Sequence, residues 1–127
     1  MLQCIDMKSL LLPLLFISLT AVAETSTFIC GYEQFATPDG LEKPKRKFVL
    51  TFIVDRSSHK AYVLGNQGSE EVKLLETSEQ LVFIELTATG NIMTTTIDSK
   101  LQTVHSRHSV LFDGLVPSQY YGNCIIK

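Results

Sequence analysis

Helical periodicity is the first thing this sequence lacks. Through the body of the chain, apolar residues do not recur at spacings of three and four. A helix bundle or an alternating α/β layer fold is thereby set aside. The chain also lacks a basic excess: 11 Lys and Arg stand against 13 Asp and Glu, for a formal net charge of −2. A nucleic-acid binder would carry a basic surface. Histidine is scarce, with three in all, too few for a well-furnished zinc centre. No G-x-S-x-G elbow surrounds Ser106. The longest apolar run, residues 10–23, is interrupted by Pro13 and falls short of the roughly 20 residues of a spanning helix. There is no internal repeat, low-complexity tract or linker.

What is present begins with an address. Lys8, the apolar segment after Ser9 and the Ala21-Val22-Ala23 triplet form a positive region, an apolar core and an A-x-A cleavage signal. Residues 1–23 are therefore expected to be a signal peptide cut after Ala23, sending the protein to the periplasm or out of the cell. Met7 is the more natural start, because Cys4 and Asp6 are odd in the positive region. The 127 residues less the first 23 leave 104, residues 24–127, one small domain with a modest core. Of three cysteines, Cys4 leaves with the leader. Cys30 and Cys124 then meet an oxidising compartment and are expected to pair.

Strand chemistry fills the rest. Val, Ile, Thr, Phe and Tyr come in short runs broken by Gly, Asn, Asp and Ser. The expected strands are 26–35, 47–55, 60–64, 69–76, 80–88, 92–97, 101–112 and 119–126. Pro38-Asp39-Gly40 and Pro44 mark 36–45 as a loop, and Pro117-Ser118 sits in another. Gly65-Asn66-Gln67-Gly68 and Thr89-Gly90-Asn91 are hairpin turns. Short connections force antiparallel neighbours, since parallel pairing needs crossovers of a dozen residues or more. A meander leaves two raw edges, and closing it removes them. The expectation is a small antiparallel up-and-down β-barrel of about eight strands, closed where a Cys30–Cys124 disulfide joins first strand to last. A two-sheet β-sandwich is the alternative.

Chemistry-bearing residues concentrate in 104–124. His105-Ser106-Arg107-His108 invites a metal reading, but on one strand 105 and 107 point one way and 106 and 108 the other. Two such His cannot share an ion, so neither metal nor cofactor is expected. Ser106 and His108 share a face, with Asp113 as a nearby acid, which is the whole case for a small hydrolase. Arg107 with His105 offers cationic donors, and Tyr120 and Tyr121 are amphipathic. Arg and Tyr dominate recognition hot spots. Arg107 could instead close an ion pair with Glu85, which shares a face with Leu81 and Phe83. For His105 and His108 a solvated surface is the expected setting. The run Glu42-Lys43-Pro44-Lys45-Arg46-Lys47 could touch an anionic surface or an acidic partner. Such runs also guard a hydrophobic strand from aggregation.

Phe28-Ile29-Cys30, Gly65-Asn66 after a Lys-Ala-Tyr strand, Thr95-Thr96-Ile97-Asp98, His105-Ser106-Arg107-His108 and Pro117-Ser-Gln-Tyr-Tyr-Gly122-x-Cys124 together resemble an uncharacterised group of small exported bacterial β proteins. That resemblance implies no activity. In size, export and an aromatic-x-Cys start, the chain is also similar to small periplasmic lysozyme inhibitors, which are eight-stranded barrels. Their Ser-Gly-x-x-Tyr inhibitory loop has no match here; the nearest turn, Thr89-Gly90-Asn91, runs into Ile-Met-Thr. The expected function is an exported, non-enzymatic binding protein for an unknown protein or small ligand of the cell envelope. Its surface would draw on His105, Arg107, His108, Tyr120 and Tyr121. The alternatives are an inhibitor of a cell-wall hydrolase or protease, and a hydrolase built on Ser106 and His108.

Overall fold

A computed structural model describes residues 15–19, 24–66, 68–112 and 114–127. The expected cleavage triplet, Lys8 and Asp113 lie outside the described residues.

The described chain is all β. Its strands are β1 (Thr25–Thr37), β2 (Gly40–Glu42), β3 (Phe48–Asp55), β4 (Lys60–Gly65), β5 (Gly68–Glu76), β6 (Gln80–Leu86), β7 (Ile92–Asp98), β8 (Gln102–Leu111) and β9 (Gly114–Ile126). Every pairing is antiparallel, and β1 and β3 to β9 form a ring of eight that closes by β1 pairing with β9. The barrel expectation holds and the sandwich is set aside.

The extra strand, β2, corrects the reading of 36–45 as a loop. Pro38-Asp39-Gly40 does turn the chain, but so tightly that Thr37 faces Gly40 and Phe35 faces Glu42. Gly40 takes a φ of 128°, open to glycine alone. A second correction is β9, which starts at Gly114 rather than at 119. Pro117 and Ser118 lie in it, opposite His108 and Arg107. Proline is tolerated there because β1 has already ended its pairing with β9 at Ala36 and Gln119.

The upper rim of the barrel holds the turns after residues 37, 65, 86 and 111; the lower rim holds those after 55, 76 and 98. Alternation puts one face of each strand inward. Phe28, Cys30 and Tyr32 of β1 meet Leu50, Phe52 and Val54 of β3, Ala61 and Val63 of β4, Val72 of β5, Leu81 and Phe83 of β6, and Ile97 of β7. Phe52 and Phe83 stack across the interior with ring centroids 4.3 Å apart. On the lower rim Leu101 takes a φ of 63°, which ends the Asp98 turn; its carbonyl accepts the Cys124 N–H at 2.7 Å.

The β1–β9 seam is drawn close at two points. Cys30 and Cys124 are directly opposed, with Cα atoms 4.0 Å apart, and their sulfurs are bonded. Two residues up, the register slips between Tyr32 and Gln34, leaving Glu33 as a bulge. Beside it, a Cβ on Gly122 would overlap the Gly31 carbonyl. Gly122 is glycine for clearance, since its φ is not in the left-handed region. Gly122→Ala is expected to force the strands apart and cost about 2–3 kcal/mol, read as a lower denaturation midpoint at unchanged slope. A wild-type midpoint would show that the seam relaxes freely.

Candidate functional site

β8 begins among core residues and ends in solvent, and the site lies where it crosses the upper rim. Thr103, His105 and Arg107 alternate inward, as the parity of the sequence implies. Inward neighbours across the ladders are Thr95 beside His105, Met93 beside Arg107, and Tyr120 beside His105 on the other flank. β3 contributes Phe48, which faces Tyr32 in the register.

His105 is not a surface residue. It is 2 % exposed, which corrects the reading of a solvated histidine. Thr95 and Thr103 are the other polar core residues. The Arg107 Nε donates to His105 Nε2 at 3.2 Å. An arginine N–H can only donate, so Nε2 is an acceptor and the ring proton sits on Nδ1. That proton is donated to Thr95 Oγ1, 2.7 Å away. Burial, and then the neighbouring Arg107 charge, push the His105 pKa down to about 3. The ring is neutral, so the expected pair of cationic donors reduces to one.

That one cation is Arg107, half-buried at the rim. Its guanidinium carbon lies 4.8 Å from the Phe48 ring centroid and 4.9 Å from that of Tyr120. Cation–π contact with two faces replaces much of the lost hydration. Phe35 stacks on the far side of Tyr120 at 5.2 Å, and Tyr32 meets the Tyr120 ring edge-on at 6.3 Å. Tyr32 shares a 3.2 Å hydrogen bond with Thr103, and burial raises its phenol to about 12.

Glu85 is not the ion-pair partner of Arg107. Among the described residues the one ion pair joins Arg56 and Glu76, 2.9 Å apart near the lower rim. Glu85 is half-buried as its face implies, and burial, then the Glu70 charge, raises its carboxyl pKa against a smaller pull from Arg107. The Nη1 and Nη2 groups of Arg107 make no hydrogen bond among the described residues, so the planar end of the guanidinium is presented at the rim.

The five residues singled out in the sequence therefore divide. His105, Arg107 and Tyr120 come together inside the upper rim. His108 is exposed on the outer face, and Tyr121 also points outward, its hydroxyl donating to Gln119 Oε1 at 2.9 Å. Ser106 and His108 share that outer face, and no hydrogen bond joins them among the described residues. Phe35, Phe48, Tyr32 and Thr95 belong to the cluster and were missed. Strand parity groups Phe48 with Leu50, Phe52 and Val54, but both faces of that strand are apolar, and its position beside β8 depends on how the ring closes.

Above the cluster, β8 and β9 outrun the barrel. Pairing of β8 with β7 ends at Arg107, and pairing of β9 with β1 ends at Gln119. Residues 108–111 and 114–117 pair only with each other. At about 3.3 Å per residue the hairpin stands roughly 10 Å or more above its neighbours. Val110, Leu111, Phe112 and Leu115 on it are exposed. No family model, no curated protein and no solved structure matches the chain.

Proposed function

We propose that the protein is an exported, non-enzymatic binding protein whose upper rim engages a partner in the cell envelope. The observation that carries this reading is Arg107. Its guanidinium rests on the adjoining rings of Phe48 and Tyr120, its Nε is fixed on neutral His105, and its Nη edge makes no hydrogen bond among the described residues. A carboxylate or backbone carbonyl of a partner meets that edge at little entropic cost, because the side chain is already held. The leader sequence and the buried disulfide both fit an oxidising, exported setting.

The test is affinity recovery from a periplasmic extract with wild-type protein beside Arg107→Ala. Buried arginine anchors are worth about 2 kcal/mol or more, so the variant, though less stable for the loss of the His105 hydrogen bond, is expected to stay folded at the assay temperature and lose the partner by at least about tenfold. Equal recovery of the same partners would remove Arg107 from recognition.

A second reading, inhibition of a cell-wall hydrolase or protease, is favoured by the projecting β8–β9 hairpin, a shape that enters clefts. Its residues Leu111 and Phe112 would insert. A hydrolase titrated with wild type and with Phe112→Ser would show inhibition by the first and not the second; equal inhibition would exclude the hairpin.

A further inference from the structure

The outer wall carries a second feature, whose lining reaches Tyr32 and Phe48 but does not include Arg107. A groove of about 1280 Å³ runs over the outward faces of β1, β9, β8 and β7. Lys43, Lys45, Arg46 and Lys47 form part of its lining, and all four are exposed. None makes an ion pair among the described residues. Two carboxylates also line the groove, Glu33 and Asp98, and Asp98 is already engaged by the backbone N–H groups of Lys100 and Gln102. In a chain of net charge −2, four cations around one groove are a local reversal of sign.

The floor supplies an independent pointer. Gly31 lies in the middle of β1, where glycine weakens a strand. Its φ is not in the left-handed region, and a Cβ added there meets nothing within 4 Å. Neither conformation nor packing requires glycine at this position, in contrast to Gly122. What the missing side chain does provide is open floor, which a ligand lying close to the backbone needs. Tyr121 lines the groove beside it, with the amides of Asn123 and Gln102.

We infer that this groove binds an anionic polysaccharide, its sugar rings lying over Gly31 and against Tyr121 and its acidic groups meeting the cations of 43–47. Charge complementarity selects the sign of the ligand. The sheet selects a glycan over an acidic peptide: at the floor, Gly31 is paired on both sides, with Val49 and Asn123, so no backbone edge is free to add a strand. Amide side chains and a tyrosine suit hydroxyls and sugar faces instead.

The test measures binding of the purified protein to polygalacturonate and dextran sulfate, with neutral dextran and poly-glutamate as controls. Binding to one or both anionic glycans is expected, weakened by salt, with none to dextran and at least tenfold weaker binding to poly-glutamate. The tighter of the two glycans identifies the acidic group. Gly31→Leu is expected to lose at least tenfold in affinity at an unchanged or higher melting temperature, since it fills the floor of a strand that has room for it. Lys45→Ala with Arg46→Ala should lose about fivefold and flatten the salt dependence. Absence of binding to either glycan, wild-type affinity in Gly31→Leu, or equal binding of poly-glutamate would overturn the inference. Arg107→Ala should leave glycan binding intact, so failure at the rim and failure at the groove are told apart.

Discussion

Replacing both Cys30 and Cys124 by alanine is expected to lower the unfolding free energy by about 4–5 kcal/mol. The bridge spans 94 positions of sequence, and the chain-entropy account of so long a loop gives that figure. For a domain of this size the loss corresponds to roughly 20–30 °C in melting temperature. The effect lies mostly in the unfolded chain. β1 and β9 stay laddered from Phe28 and Ile126 to Ala36 and Gln119 without the sulfurs, so the variant should fold in the cold with the same far-ultraviolet spectrum. Because the open unfolded chain exposes more surface, its denaturant slope should also exceed that of the oxidised protein. A shift below about 5 °C at equal slope would show that the ladder alone holds the barrel shut. Cys30 is fully buried and Cys124 nearly so. Reductant should therefore act on the native protein only as fast as the seam opens.

Acid is the second large lever, through His105. In the unfolded chain an imidazole titrates near 6.5, and in the fold this one is held near 3. Above about pH 6.5 both states are neutral and the fold keeps its full stability. Below it the unfolded chain takes up a proton that the fold refuses, so stability falls steadily as pH drops toward 3. At pH 4 the loss amounts to roughly 3 kcal/mol. Protonation would also turn Nε2 into a donor facing the donor of Arg107, so the hydrogen bond that holds Arg107 fails with it. Glu85 works the other way: its raised pKa adds stability as pH falls through the carboxyl range. The His105→Gln variant, which is free of this titration, should show a nearly flat melting temperature between pH 6.5 and 4.5 where wild type slopes. Parallel slopes would place the acid sensitivity elsewhere.

Much of the barrel was legible because strand alternation and turn chemistry are local. Phe48, Leu50, Phe52 and Val54 fall on one face of a strand, and Gly65 and Gly90 sit at turns. The disulfide followed from counting. What stayed hidden depends on closure. Tyr120 could be placed beside His105 only once the β8–β9 register was known, and that register reaches back to Gly114 through a Pro-Ser pair that reads as loop. His105 was misjudged for a related reason. A histidine on an inward face is unfavourable until a partner is found for each ring nitrogen, and those partners, Thr95 and Arg107, come from a neighbouring strand and from two residues along its own. β2 was missed because three residues ending a tight turn carry too little pattern to stand out.

A ring sealed by its own two ends has a cost in time. A polypeptide emerges amino end first, so β1 waits for β9 while about 80 intervening residues are made, some 4–16 s at about 5–20 residues per second. Throughout that interval one flank of β1 has no mate, and the contact order of the finished barrel is high. Nascent molecules are thus most vulnerable to mispairing with one another before β9 appears, and loss of β9 by truncation should yield aggregates rather than a smaller, open sheet.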